Sequence, residues 1–381
     1  MKKTKIVADN KIPFLNGVLE PFAEVVYLSP SDMTREAIKE ADALLVRTRT
    51  KCDANLLDGS NVKFIATATI GFDHIDTKYC DSRNIKWISA PGCNSSSVMQ
   101  YIASALLTLA ETKNLLLSDL TIGIVGVGNV GTKVARVAKA FGMNVLLNDP
   151  PRTRAEDNQG FVDLDELISR SDIITFHVPL NKDGRDKTFH IVDESFFEKF
   201  DQKKIIINTS RGEVVKTEAL KKTIRNGFIT ACVLDVWENE PDIDRELLSL
   251  LDIATPHIAG YSADGKANGT AVCVRAISSF FNFGIDNKWY PSELPQPENS
   301  KLMVVDCEDK SEQQIFSEAV FHTYRILDDD GRLRGSVETF EKQRGNYHVR
   351  REFTFYNIEL KNGRKEIHEA LIELGFNVIQ K

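Results

Sequence analysis

Apolar positions along the chain follow two periods that succeed one another. In its first quarter, short and largely apolar runs at Lys5 to Ala8, Glu24 to Tyr27, Ala43 to Val46, Phe64 to Thr67 and Lys86 to Ser89 alternate with helical spacing such as Thr34 to Glu40. Runs of this length read as strands, and their alternation with helices predicts βα units and a parallel sheet. A long helical stretch from about Ser97 to Lys113 leads into a second series that begins at Leu120. Here strands are expected at Thr121 to Val125, Asn144 to Asn148, Ile173 to His177, Lys204 to Asn208, Ala231 to Asp235 and Asp252 to Ala254, with a helix at Asn129 to Phe141. Parallel strands joined by right-handed crossovers give a doubly wound sheet. Helical spacing returns from Ala263 to Phe283. Pro291, Pro295 and Pro297 then mark a linker over 289–300. A small α+β tail follows, with strands expected at Leu302 to Asp306, Phe353 to Leu360 and Asn377 to Ile379, and helices at Glu312 to Leu327 and Arg364 to Leu374.

Length and composition narrow the class. At 381 residues the chain is too long for one ordinary domain, and 42% apolar with 27% charged residues is a globular mixture. A net charge of −7 speaks against a nucleic-acid partner. The Met-Lys-Lys-Thr-Lys start is interrupted at Asp9 to Lys11 before any leader-like apolar stretch, and no apolar run reaches bilayer length. The expectation is a cytoplasmic protein with no membrane contact. The six cysteines, Cys52, Cys80, Cys93, Cys232, Cys273 and Cys307, are scattered without C-x-x-C spacing, so reduced thiols and no metal site are expected. His74 lies near Asp73 and Asp76 like a ligand cluster on paper, but capping and turn chemistry explain the trio better.

Gly126-Val127-Gly128-Asn129-Val130-Gly131 directly follows a predicted strand and opens a helix, the context in which G-x-G-x-x-G has meaning. Gly126 allows a tight turn, Gly128 lets backbone amides approach a pyrophosphate, and Gly131 permits close helix–strand packing. The next strand runs into Asp149, where a carboxylate accepts hydrogen bonds from the adenosine ribose and repels a 2′-phosphate. NAD is therefore expected, with Arg152 and Arg154 as the alternative, a phosphate-holding arginine that would favour NADP.

Three further segments place chemistry at strand ends. Asn208-Thr209-Ser210-Arg211-Gly212 follows one strand, Asp235-Val236-Trp237-Glu238-Asn239-Glu240-Pro241 another, and Thr255-Pro256-His257-Ile258-Ala259-Gly260-Tyr261 a third. An arginine fork anchors a carboxylate with two parallel hydrogen bonds, a histidine exchanges protons near neutrality, and a carboxylate beside it orients the ring. Arg211, Glu240 and His257 are the candidate catalytic set for oxidation of a 2-hydroxy acid. Taken singly, each also fits a surface loop. Arg47, Thr48 and Arg49, just after a strand, are candidates to bind a substrate phosphate. Arg350 and Arg351 in the tail are candidates to reach a neighbouring subunit's cleft.

Together, the glycine motif, Asn-Thr-Ser-Arg-Gly-Glu, Asp-Val-Trp-Glu-Asn-Glu-Pro and Thr-Pro-His-Ile-Ala-Gly resemble the D-isomer-specific 2-hydroxyacid dehydrogenases over about the first 285 residues. Thr67-Ala68-Thr69, Pro91-Gly92-Cys93-Asn94, Asp149-Pro150-Pro151-Arg152 and the separate tail are similar to a branch of that family acting on a phosphorylated substrate. The resemblance implies two Rossmann-like domains. Residues 1–95 and 258–287 form a flavodoxin-like substrate-binding domain, into which a cofactor domain of 96–257 is inserted. It implies a homodimer through a C-terminal dimerisation domain of 288–381. It gives Arg211, Glu240 and His257 the roles above and places Thr48, Thr69 and Tyr261 at the substrate. It places Asp149, Val178, Thr209, Ser210, Arg211, Asp235, Gly260 and Tyr261 at NAD. Two departures stand out: Thr48 where a Ser is familiar, and Gln100 where a Glu is. A sibling that oxidises 3-phosphoglycerate, and a non-catalytic NAD(H)-sensing protein on the same fold, are the alternatives.

Overall fold

A computed structural model describes residues 3–156 and 160–379. It divides into two compact units, Met1–Asn94 with Ser262–Pro295, and Ser95–Tyr261 with Gln296–Lys381.

The first unit holds strands β1 (Lys5–Asp9), β2 (Glu24–Leu28), β3 (Ala43–Val46), β4 (Phe64–Thr67) and β5 (Lys86–Ile88). All pairs are parallel and the order is β2-β1-β3-β4-β5, the flavodoxin-like winding. Strands β3 and β4 are buried along their whole length, as apolar strands covered on both faces must be. One core joins Ile6, Ala8, Leu45 and Ala66 to Cys273, Val274 and Ile277 of the helix Ala263–Phe281. A second core joins Val7, Leu44, Val46 and Ile65 to Ile38, Leu57 and Ile85.

The second unit contains a six-stranded parallel sheet of β6 (Thr121–Val125), β7 (Asn144–Asn148), β8 (Ile173–Phe176), β9 (Lys204–Asn208), β10 (Ile229–Leu234) and β11 (Ile253–Ala254). Its order, β11-β10-β9-β8-β6-β7, reverses winding direction between β6 and β8. In such sheets ligands gather at the carboxyl ends of strands beside that reversal.

The tail adds β12 (Leu302–Asp306), β13 (Asn357–Lys361) and β14 (Asn377–Ile379), paired in parallel in that order. Its Met303, Val305, Ile358, Ile367 and Leu371 share one core with Tyr101, Leu106, Val134 and Val137. Residues from Gln296 onward group with the six-stranded half.

Two expected elements differ. The helix expected over 312–327 stops at Thr323, and Tyr324 is extended (φ −161°, ψ 123°) before a second helix, Ile326–Gly335. The Ser104 hydroxyl explains the break, donating to Tyr324 O at 3.1 Å and accepting from Ile326 N at 3.2 Å. The strand expected from Phe353 begins only at Asn357. Phe353–Phe355 forms a tight helical turn that seats Phe353 against Phe376, ring centroids 4.5 Å apart. Among the described residues no helix is long and apolar enough to cross a membrane, and no cluster of His, Cys, Asp and Glu is arranged for a metal ion. Among the described residues no disulfide joins any of the six cysteines.

Candidate active site

The glycine loop sits where β6 and β8 diverge. Gly126 has φ +88°, and a Cβ there would lie 2.6 Å from His177 O and 2.8 Å from Val178 Cγ1, so the two strand ends are in contact through it. Around Gly128, in contrast, nothing lies within 4 Å of a Cβ. This leaves room for a pyrophosphate at the start of the helix Asn129–Ala140, where unpaired N–H groups and the helix dipole favour an anion. Asn129 and Val130 form that first turn.

Asp149, past the end of β7, accepts from Val127 N through Oδ2 at 2.8 Å and from Arg152 N through Oδ1 at 3.0 Å. The Arg152 guanidinium donates to Val127 O and pairs with Glu156, and Arg154 pairs with Asp186. Each arginine thus already faces a carboxylate, and Asp149 is fixed beside the glycine loop. This arrangement suits the adenosine ribose of NAD. Thr209 Oγ1 lies 3.3 Å from His177 Nδ1, and Thr175 Oγ1 lies 3.0 Å from its Nε2. Burial pushes the His177 pKa far below the ordinary range, so the ring is a neutral packing element.

Arg211 is presented by a turn that Asn208 builds. The Asn208 side chain accepts from Ser210 N at 3.0 Å and Ser210 Oγ at 2.8 Å, and donates to Arg211 O at 2.9 Å. A Cβ on Gly212 would come within 1.9 Å of Trp237 C. Only glycine lets this turn lie directly on the backbone that leads to Glu240.

The remaining pair closes around His257. Glu240 accepts from Trp237 N through Oε1 at 2.9 Å, while its Oε2 lies 2.7 Å from His257 Nδ1. Burial pushes the Glu240 carboxyl up, but His257, the Trp237 N–H and the Arg344 charge outweigh it, and the pKa falls below the ordinary value. His257 has φ +56°, and its N–H donates to Asp235 O at 2.7 Å. The Asp235 carboxylate holds the same loop, accepting from Thr255 Oγ1, Ile258 N and Ala259 N at 2.7, 2.7 and 2.9 Å. Because Thr255 donates there, the buried Tyr101 hydroxyl 2.7 Å away donates to Thr255. Burial raises the Asp235 pKa despite His257, Thr255 and both amides. The Asp235 side chain is buried, 1% exposed, and engaged with the His257 loop. Past Gly260, Tyr261 donates its N–H to Ile258 O, and its ring meets Tyr347 edge-on at 5.8 Å.

In the other unit, Thr48 and Thr69 each stand two residues beyond the paired Val46 and Thr67, at the carboxyl ends of adjacent strands. Thr48 is exposed. Thr69 joins a hydrogen-bond chain with Thr67 (2.7 Å) and His74 (3.0 Å). Burial lowers the His74 pKa to about 4, against the pull of Asp73. Asp76 caps the helix Thr77–Ser82 through Tyr79 N, so the His74 neighbourhood is turn and capping structure. Sequence reasoning missed the Tyr101–Thr255–Asp235 chain. It also missed a second pair, His190 Nε2 with Glu238 Oε1 at 2.6 Å, for which Glu-Asn-Glu was the sole hint.

A glycine loop at the winding reversal of a parallel sheet, with a carboxylate-backed histidine at the carboxyl ends of the same sheet's strands, is the arrangement of an NAD-dependent dehydrogenase acting on a CH–OH group. The family model "D-isomer specific 2-hydroxyacid dehydrogenase, NAD binding domain" matches residues 104–259, and a "Domain of unknown function (DUF3410)" matches 294–375. An erythronate-4-phosphate dehydrogenase of Bacteroides thetaiotaomicron is 50% identical, covering 93% of this chain and 99% of that one. Another from Proteus mirabilis is 40% identical, covering 99% and 100%. Among solved structures, D-lactate dehydrogenase of Aquifex aeolicus with NAD and lactic acid is 25% identical with TM-score 0.60, covering 77% of this chain and all of that one. The chain belongs to the erythronate-4-phosphate dehydrogenases, within the D-isomer-specific 2-hydroxyacid dehydrogenase family.

Proposed function

We propose that this chain oxidises 4-phospho-D-erythronate at C2 to (R)-3-hydroxy-2-oxo-4-phosphooxybutanoate, a step toward pyridoxal 5′-phosphate (vitamin B6). The observation that carries this reading is the near full-length likeness to relatives that bear that activity in their names. Bound NAD⁺ supplies the acceptor for the C2 hydride. The other roles belong to the chain. Arg211 binds the substrate carboxylate through its fork. His257 takes the hydroxyl proton on Nε2, because its Nδ1 faces Glu240. Glu240 stabilises the imidazolium that results. The glycine loop of Gly126, Gly128, Asn129, Val130 and Gly131, with Asp149, Val178, Thr209, Ser210, Gly260 and Tyr261, holds NAD. Asp235, whose carboxylate also fixes the His257 loop, belongs to the same NAD-binding set.

Residues 1–95 and 258–287 take the substrate role, with Thr48, Thr69 and Tyr261 in contact and Arg47 or Arg49 at the phosphate. Residues 288–381 carry the contacts of a cytoplasmic homodimer. The test is NADH formation by the purified protein with NAD⁺ and either 4-phospho-D-erythronate or 3-phosphoglycerate. Strong preference for the first supports the reading. Preference for the second moves the substrate and keeps the chemistry, and turnover of neither returns the chain to NAD(H) sensing. Light scattering tests the dimer, with a monomeric mass as the outcome against it.

A further inference from the structure

Arg350 stands far from the cofactor loop in sequence, yet its guanidinium is buried in the cofactor half of its own chain, 2% exposed. An interior cation is costly unless hydrogen bonds replace its water. Here Nη2 donates to Ser97 Oγ, to Ala259 O at 2.5 Å and to Ile258 O at 3.3 Å. The group lies over the Tyr324 ring at 4.4 Å and near the Tyr347 ring at 5.7 Å. Among the described residues no carboxylate pairs with it directly. Burial works against its charge, but Tyr347, Tyr324, Asp329 and Asp235 around it more than compensate and keep it a cation.

The carbonyls it holds are the two that follow His257. Their amides are held by the opposite charge, since Ile258 N and Ala259 N both donate to Asp235. The loop that aims His257, a non-glycine residue at positive φ, is therefore clamped at its N–H groups by an acid and at its carbonyls by an arginine. Ser97 adds a third bond, to Ala259 O at 3.0 Å. Gln100 secures the next residue, donating from Nε2 to Arg351 O at 2.9 Å and Thr323 Oγ1 at 3.0 Å. An ionised Glu at position 100 has no proton to donate to either acceptor, so the Gln found here suits this anchoring of the tail.

We propose that Arg350 is a positioning residue for the dehydrogenation, fixing His257 against Glu240 through the carbonyls of Ile258 and Ala259. The inference rests on the catalytic role assigned to His257. Its test compares Arg350→Met and Arg350→Lys with Arg334→Met. Arg334 bonds Leu248 O and Leu251 O, elsewhere in the same unit, and so serves as a control for loss of tail anchoring alone. For each variant, NADH titration gives the number of binding sites and Kd, and turnover is expressed per binding site.

Arg350→Met should lower kcat per site on the order of 10- to 100-fold, since misplacement of a reacting group by an ångström has effects of that size. NADH Kd should stay within about twofold, Arg350→Lys should recover part of the loss, and Arg334→Met should lower Tm with kcat per site unchanged. Wild-type turnover per site in Arg350→Met would overturn the proposal. If that variant fails to fold, Arg350→Lys and Ser97→Ala decide, and unchanged kcat per site in both would overturn it. A wild-type protein that turns over only 3-phosphoglycerate defeats the substrate assignment and leaves this comparison to be run on that substrate.

Discussion

His257 Nδ1 lies 2.7 Å from Glu240 Oε2, while the other Glu240 oxygen is held by Trp237 N. The carboxylate is fixed from behind and fixes the ring in front, so the proton exchange proposed for His257 falls to Nε2. Glu240→Gln keeps the shape but removes the charge, and should lower kcat by roughly 10²–10⁴-fold with NADH binding retained. The pH dependence has a definite sign. The Glu240 pKa is depressed in the folded protein, so its contribution is present above the ordinary carboxylate value and lost only as pH falls through the depressed one. Glu240 should therefore be ionised throughout about pH 6 to 9, and Glu240→Gln should stay impaired across that whole range. Recovery of wild-type kcat by the variant at either end would contradict this.

Arg211 calls for a different substitution, because charge and geometry separate. Arg211→Lys keeps the cation and loses the planar fork. With a bidentate carboxylate contact reduced to one bond, kcat/KM should drop by about 1.5–3 kcal/mol, roughly 10- to 100-fold, with NADH Kd little changed. Steady-state kinetics in the hydroxy acid at saturating NAD⁺ measures it. An unchanged kcat/KM would remove Arg211 from the substrate.

The contrast between Arg211 and Arg350 marks what the sequence makes legible. Arg211, Glu240 and His257 follow apolar runs whose period identifies strands, and strand ends in a parallel sheet converge without knowledge of any contact. The glycine motif is legible for the same reason, since its spacing is local. Arg350 has no period to betray it. The acceptors of its Nη2, Ser97, Ile258 and Ala259, lie at least 91 positions away, and two of these three bonds are with backbone that every residue type shares. Tyr101, Thr255 and Asp235 are likewise joined by hydroxyl and carboxylate bonds across distant segments. The stretch after Leu327 is not legible because Asp-Asp-Asp-Gly-Arg-Leu-Arg-Gly offers almost no apolar face, although it lies in a helix that packs against β11.

Asp235 should behave as a loop anchor. Its two oxygens accept three hydrogen bonds, whereas an asparagine in its place has one acceptor oxygen and turns an NH₂ group toward a backbone donor. Asp235→Asn should cost about 2–4 kcal/mol of stability, the range for a buried polar group left without its partner. Turnover should fall along with Tm, because the same bonds aim His257. Denaturant unfolding and kcat per NADH site check both. A variant of wild-type stability would show that the loop holds its shape without the carboxylate.

Gly212 and Gly128 separate folding from cofactor binding. A Cβ at Gly212 would lie 1.9 Å from the Trp237 carbonyl carbon, and backbone there cannot move without carrying Glu240 along. Gly212→Ala should therefore destabilise by about 3 kcal/mol or more and abolish activity. At Gly128 the added methyl meets nothing within 4 Å, so Gly128→Ala should fold with a Tm near that of the wild type. The space it enters is the space assigned to the pyrophosphate, so NADH Kd should rise on the order of 10-fold or more through the lost approach of the backbone amides. Thermal melts with and without NADH distinguish the two. In Gly128→Ala the ligand-induced rise in Tm should shrink while the unliganded Tm holds, and a full-sized rise would place the pyrophosphate elsewhere.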